Sequence, residues 1–349
     1  MPILAEQRTY VAGRWVTGDD VVAVENPADE SHVADITATP LEEAHRAIAE
    51  ARRSFDDGVW ADAAPRERAR VLRAFVDHVE SAREELVPTL VAEAGQSARF
   101  AEMTQLGAGT AIARQTIDLY LSMPHEEASP VPIDDLVRGR VALSVRRHEP
   151  VGVVTAVTPY NAALIMGFQK LIPALMAGNS VILRPSPLTP ISSLVFGAAA
   201  DAAGLPPGVL SVVVESGTAA AELLTSHPAV DMVSFTGSTL AGRKILAQAA
   251  PTVKRVSLEL GGKSAQIYLP DAVHRAAGGA MVVVASTAGQ ACVAATRMLV
   301  PQDRKAEVLD AVSAMYAQIK VGPPSDESSM MGPVISAAQR EKCERYVKL

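Results

Sequence analysis

Two residues in this sequence have the types and setting for covalent chemistry. Cys292 follows Gly289-Gln290-Ala291 and sits among small side chains, as a thiol would if something had to reach it. Glu259 stands thirty-three positions earlier, at the head of Glu259-Leu260-Gly261-Gly262-Lys263. A thiolate is intrinsically nucleophilic and later leaves well, so Cys292 reads as a nucleophile. The rest of the chain must then supply a base, a site for a developing oxyanion and a cofactor. Taken alone, Glu259 is an ordinary carboxylate ending a strand; the Gly-Gly-Lys behind it and the distant cysteine are what give it a role. The only other cysteine, Cys343, lies in the charged stretch Glu341-Lys342-Cys343-Glu344-Arg345 and reads as an incidental thiol.

The elements that would position these residues begin at Val151. Short apolar strands at 151–157, 180–183, 209–214, 232–235 and 253–258 alternate with helical runs at 162–177, 191–203, 219–224 and 240–249. Continuous apolar strands separated by helices predict a parallel sheet covered on both faces, a Rossmann-like α/β unit that receives a nucleotide at its C-terminal edge. Three turns fall on that edge: Thr158-Pro159-Tyr160-Asn161, Arg184-Pro185-Ser186-Pro187 and Thr236-Gly237-Ser238-Thr239. The last opens a helix whose free backbone N–H groups could hold a phosphate. Each turn alone is ordinary turn chemistry; three on one edge point to a ligand.

Upstream, residues 9–37 alternate short apolar pieces with Gly, Asp, Asn and Pro, predicting short strands that lead into the fold and form no site. Helical spacing predicts helices over 41–55 and from Pro65, the latter with Val71, Leu72, Phe75, Val76 and Val79 on one face. Helical character resumes over 84–94 and 100–121. The Pro-rich acidic segment 123–135 reads as a linker, and alternation over 137–148 predicts an antiparallel ribbon. A two-stranded ribbon is marginal by itself, so it is expected to lie across another domain or subunit.

A chain of 349 residues can hold two domains and a sizeable core. Its net charge of −7, with no run of Lys and Arg, argues against nucleic acid and anionic membrane as partners. Two cysteines cannot form a disulfide framework at this size, which predicts a reduced, cytoplasmic protein. The longest apolar region, 191–214, is broken by Asp201 and Pro206-Pro207, against a membrane span. The seven histidines are scattered, and no metal site is indicated.

Five motifs in order give the chain a resemblance to the aldehyde dehydrogenase superfamily. They are Thr158-Pro159-Tyr160-Asn161, Phe235-Thr236-Gly237-Ser238-Thr239 with Gly242, Leu258-Glu259-Leu260-Gly261-Gly262-Lys263, Gly289-Gln290-Ala291-Cys292 with Arg297, and Gly332-Pro333. The early pieces Tyr10-Val11-Ala12-Gly13-Arg14-Trp15 and Asn26-Pro27 extend the likeness over nearly the whole length. The resemblance implies NAD(P)-dependent oxidation of an aldehyde to a carboxylic acid through a Cys292 thiohemiacetal and thioester. It makes Asn161 the oxyanion donor and Glu259 the general base for the hydrolytic water, and leaves Lys263 between a framework salt bridge and catalysis. It places the cofactor, NAD or NADP, against Thr158, Pro159, Tyr160, Arg184, Ser186, Gly237, Ser238 and Leu260. Arg184 stands where the family commonly has Lys, and Pro187 where NAD-preferring members often carry Glu, so a 2′-phosphate is not repelled there and Arg184 could pair with one.

The resemblance further divides the chain into a cofactor-binding domain (1–125 and 149–258), a linker and oligomerisation ribbon (126–148) and a catalytic domain (259–349). Family members continue past the position of Leu349, so that last domain is expected to be incomplete, as a fragment or a short natural product. The full-length protein is expected to be a homodimer or homotetramer. The alternative function is a catalytically inactive, truncated homologue acting as a nucleotide-binding or assembly module. A cysteine hydrolase finds no histidine in a supporting motif, and Glu259 argues for hydrolysis over transfer of the thioester to coenzyme A.

Overall fold

The alternation that begins at residue 151 builds the middle of a seven-stranded sheet. A computed structural model describes residues 7–128 and 144–349. The strands, in chain order, are β1 (Thr9–Val11), β2 (Arg14–Val16), β3 (Val21–Glu25), β4 (His32–Thr37), β5 (Glu126–Ala128), β6 (Val145–Arg147) and β7 (Val153–Val157). They continue with β8 (Ser180–Arg184), β9 (Leu210–Val212), β10 (Met232–Gly237), β11 (Arg255–Leu260), β12 (Ala265–Ile267) and β13 (Arg297–Leu299). The main sheet has the order β11-β10-β7-β8-β9-β1-β2, and β7 to β11 pair in parallel. The chain therefore moves outward from β7 first on one side, to β8 and β9, and then on the other, to β10 and β11. That reversal leaves a crevice between the C-terminal ends of β7 and β10, the place where open α/β sheets receive ligands.

Strand side chains alternate between the two faces, and both faces are buried. Val154, Ala156, Val181 and Leu183 enter one apolar cluster, while Val153 and Ile182 enter another. The first face is covered by α2 (Pro65–Ser81), α3 (Arg83–Ala94), α5 (Gly109–Ser122), α6 (Ala163–Met176) and α7 (Val195–Ala203), with the three-residue α4 (Ala98–Phe100) before α5. The second is covered by α1 (Leu41–Asp56) and α8 (Ala219–Ser226) through Ala44, Ala47, Ile48, Ala220 and Leu224. Next to β10 and β11, α9 (Thr239–Ala249) packs Ile245 against Val157, Val233 and Phe235. Pro65 at the first turn of α2 and Gly95 in a left-handed conformation after α3 mark those boundaries as helix geometry requires.

Three expectations are modified. The lead-in at 9–37 does more than lead in: β1 pairs antiparallel with β9, and β2 with β1, so they extend the main sheet. The predicted helix over 100–121 is interrupted by widened π-helical turns at Ala101–Ala108 before α5 begins. Within the predicted linker, Glu126–Ala128 forms a strand paired antiparallel with Val145–Arg147. Residues 129–143, which include the rest of the predicted linker and the first half of the predicted ribbon, lie outside the described residues.

After β11 the chain forms a smaller α/β unit. Parallel strands β12 and β13 pair Ala265 with Arg297, and α10 (Ala276–Ala285) and α11 (Lys305–Tyr316) lie with them around Val273, Ala276 and Val308. A charged helix, α12 (Ala337–Val347), follows. Among the described residues, no helix is long and apolar enough to cross a membrane.

Candidate active site

Cys292 lies in the connection between α10 and β13, and its approach is conformationally unusual. Thr287, Ala288 and Gly289 take φ values of 52°, 51° and 72°, three successive left-handed residues of which only one is glycine. Such backbone costs energy and persists where surrounding contacts hold it, a pattern common at functional sites. Gln290 provides those contacts. Its backbone N–H donates to the Thr287 carbonyl at 3.0 Å, its side-chain amide donates to the same carbonyl at 3.0 Å, and its Oε1 accepts from the Ile335 N–H at 3.1 Å. The Cys292 thiol beyond this turn is exposed.

Asn161 joins the thiol loop to the main sheet. It sits in the single helical turn Tyr160–Ala162 that follows β7. Its side-chain Nδ2 donates to the backbone carbonyl of Gln290, two residues before Cys292. Its own carbonyl accepts from Gln96 Nε2 at 2.7 Å and from Gln105 Nε2 at 3.1 Å. Both glutamines are buried, Gln105 completely, and Gln105 also donates to Gln96 Oε1 at 3.1 Å and accepts from the Ile165 N–H at 3.3 Å. Asn161 thus has a fixed backbone and an amide aimed at the cysteine loop. Neither glutamine was a sequence candidate.

Glu259 projects from β11 beside Thr236 of β10, is exposed, and makes no direct hydrogen bond or ion pair among the described residues. Its electrostatic partner is Lys170 on α6, also missed in the sequence reading. Burial pushes the Lys170 ammonium down to about 8, and the attraction of Glu259 opposes that shift. Lys170 Nζ donates to Ser234 Oγ at 2.9 Å, which holds it beneath the strand. The available signal was one lysine, beside Gln169, in the largely apolar run Leu164 to Leu175. Lys263 is exposed and forms no ion pair among the described residues, so the framework salt bridge left open for it is absent there.

The crevice between β7 and β10 carries two orphaned hydroxyls. Thr158 and Thr236 are 2% and 5% exposed, and the Oγ1 of each is buried without a hydrogen-bond partner among the described residues. Buried polar atoms are normally satisfied, so a pair of unsatisfied ones at a ligand-receiving edge fits a polar group supplied from outside. Ser238 caps α9, its Oγ accepting from the Ala241 N–H at 3.2 Å, which leaves the N–H groups of Thr239 and Leu240 at the helix start without helical partners. A Cβ on Gly237 would stand 2.5 Å from the Phe235 ring, which accounts for glycine at the end of β10. Leu260 packs under α9, where a Cβ on Gly242 would touch its Cδ2 at 3.0 Å. These features fit a nicotinamide dinucleotide, with donors for its phosphates and apolar walls.

The remaining edge residues are engaged with the protein itself. Ser186 is buried and its Oγ accepts from the Leu188 N–H at 3.3 Å. Thr189 Oγ1 donates to the Tyr160 carbonyl at 3.2 Å, tying the β8 turn to the β7 turn that Pro159 begins. Tyr160 is half-buried, and burial, followed by the charge of Cys343 on α12, raises its phenol above the ordinary value. The Arg184 guanidinium, which the sequence leaves free for a 2′-phosphate, is paired with Glu215 at 3.1 Å.

The chain is similar to known proteins over nearly its whole length. The model of the aldehyde dehydrogenase family matches residues 15–349. Geranial dehydrogenase from Castellaniella defragrans is 35% identical over 346 residues, which cover 98% of this chain and 71% of that protein. The 3-sulfolactaldehyde dehydrogenase of Pseudomonas putida is 35% identical over 350 residues, covering 99% and 70%. Among solved structures, a mutant aldehyde dehydrogenase C from Pseudomonas syringae in complex with NAD+ and octanal matches with a TM-score of 0.89 at 33% identity, over 98% of this chain and 68% of that one. An NADP-dependent enzyme from E. coli matches with a TM-score of 0.90 at 28% identity, over 99% and 70%. Motif order, sheet topology and similarity over nearly the whole length lead to one conclusion: the chain belongs to the aldehyde dehydrogenase family of oxidoreductases.

Proposed function

We propose that this protein oxidises an aldehyde to the carboxylic acid with NAD or NADP, using Cys292 as nucleophile, Asn161 as oxyanion donor and Glu259 as general base. The observation that carries the reading is the bond from the Asn161 amide to the Gln290 carbonyl, which puts a donor on a fixed backbone beside the thiol loop. Attack by the Cys292 thiolate forms a C–S bond and moves the carbonyl π electrons onto oxygen. The Asn161 amide then turns from the Gln290 carbonyl toward that oxygen, while Gln96 and Gln105 keep its backbone in place. A bound nicotinamide would supply the oxidising chemistry, accepting a hydride from the adduct carbon. Glu259, exposed and free of direct partners among the described residues, takes a proton from the water that attacks the resulting thioester, and the Cys292 thiolate leaves. The relatives named for geranial and sulfolactaldehyde support an aldehyde as the substrate class.

The test is turnover by the purified chain with a panel of aldehydes and either cofactor, followed by reduced-nicotinamide absorbance. Aldehyde-dependent reduction that vanishes in Cys292→Ser is the expected outcome. Cofactor binding that persists in Cys292→Ala, with no turnover by the parent chain or by a longer form of it, would make the protein a nucleotide-binding module instead. The β5–β6 ribbon, exposed at every position except Glu127, supports pairing with a second copy of the chain.

A further inference from the structure

Arg184 and Glu215 form the most enclosed ion pair among the described residues, with side chains only 11% and 7% exposed. Arg184 ends β8, and Glu215 follows β9 on the adjacent strand. Arg184 Nε and Nη2 both lie 3.1 Å from Glu215 Oε1, and Nη2 also donates to the Gly217 carbonyl at 3.3 Å. The carboxylate accepts in addition from the backbone N–H groups of Ala220 and Ala221, both at 2.8 Å, in the first turn of α8. One glutamate therefore neutralises the guanidinium and occupies the N–H donors at this helix start. On its other side Arg184 neighbours β7, its carbonyl accepting from the Thr158 N–H at 3.2 Å, so the pair borders the crevice.

NAD and NADP differ at one point, the adenosine ribose, which bears a 2′-hydroxyl in one and a 2′-phosphate in the other. A phosphate needs an unpaired cation or free N–H donors. At the end of β8, where the resemblance puts a 2′-phosphate within reach of Arg184, that phosphate would meet a cation already paired and a carboxylate of its own sign. A ribose diol carries no charge and can donate to a carboxylate. We infer that Glu215, by holding Arg184 and the start of α8, makes this protein select a nicotinamide dinucleotide with a free 2′,3′-diol over its 2′-phosphorylated form. The inference rests on the nucleotide site proposed above and assigns specificity to a residue that the sequence reading passed over. The structural relatives include NAD complexes and an NADP-dependent enzyme, so the fold alone does not make this choice.

Fluorescence titration of the intact chain with NADH and with NADPH tests it without requiring turnover. NADH should bind about 100-fold more tightly, the scale set by a like-charge clash of a few kcal/mol. Glu215→Gln releases Arg184 and should narrow the ratio at least about tenfold, chiefly by tighter NADPH binding. Adding Arg184→Met to that variant should abolish the gain. Glu215→Ser, which removes the charge and keeps a hydroxyl, replaces Glu215→Gln if the latter does not fold, with the same direction expected. NADPH binding as tight as NADH in the parent chain, or a variant that shifts both ligands equally, overturns the inference while leaving the nucleotide site standing. Binding of neither ligand overturns both.

Discussion

Asn161 works through two different atoms, and that division explains how much of the site could be read in advance. Its turn was legible as the end of a predicted strand, and the role of its amide only through the family resemblance. Its support was not, because Gln96 and Gln105 reach its carbonyl across 65 and 56 residues of sequence. Asn161→Ala should lower kcat by about 10²–10³-fold, the usual loss for one oxyanion donor, when measured at saturating aldehyde and cofactor. Lys170 was hidden for a different reason: a lone lysine in an apolar helix reads as a snorkelling side chain until its strand partner is known. Burial lowers it from 10.5 to about 8. The folded chain therefore binds fewer protons than the unfolded chain between those values, and this group's contribution to stability rises with pH across that window. Lys170→Met should remove that rise, seen as the difference between the two proteins in denaturant titrations over the same range.

At the scale of elements, the strands and helices between residues 151 and 260 fall close to where their periodicity puts them, while irregular turns do not. The π-helical turns at Ala101–Ala108 place Gln105 in the buried network, and a 3.6-residue periodicity cannot announce a local change of pitch. Glu93, near the end of α3, is a second cross-element tie. Its carboxylate is fully buried and accepts from the Ile191 and Ser192 N–H groups at 2.8 and 3.1 Å, just ahead of α7. Burial raises it from 4.5 to about 7, against the hydrogen bonds from Ser192 and Ile191 that favour the charged form. The folded chain thus holds this proton longer than the unfolded chain, and the contribution to stability is lost as pH rises from about 4.5 through about 7. Melting curves across that interval should show the loss in the parent chain relative to Glu93→Gln, which cannot titrate.

Over the whole molecule, pieces that look unrelated in the sequence meet near the site. A Cβ on Gly95 would lie 2.8 Å from Pro27 and 2.9 Å from Pro333, and a Cβ on Gly332 would lie 2.2 Å from the Gly95 carbonyl oxygen. The Asn26-Pro27 and Gly332-Pro333 motifs are thus two sides of one close approach, next to Gln96. Asp201 makes a similar tie, accepting from the Tyr10 hydroxyl at 2.6 Å and from the Trp15 indole N–H at 3.0 Å. It therefore fastens the first strands to α7, where the sequence had suggested only a break in an apolar run. Gly332→Ala should destabilise the fold by about 1–3 kcal/mol through overpacking, read in a denaturant titration. It should also depress turnover, because Ile335, three residues on, holds Gln290 in the thiol loop.

The proposed division of labour has Cys292 holding the acyl group and Glu259 releasing it. Glu259→Gln should slow hydrolysis by about 10²–10⁴-fold, the range of a positioned general base, and leave attack by the thiol intact. Mass spectrometry of that variant, quenched after mixing with aldehyde and oxidised cofactor, should find one acyl group on the peptide containing Cys292. An unmodified Cys292 peptide, or the acyl group on Cys343, would contradict it.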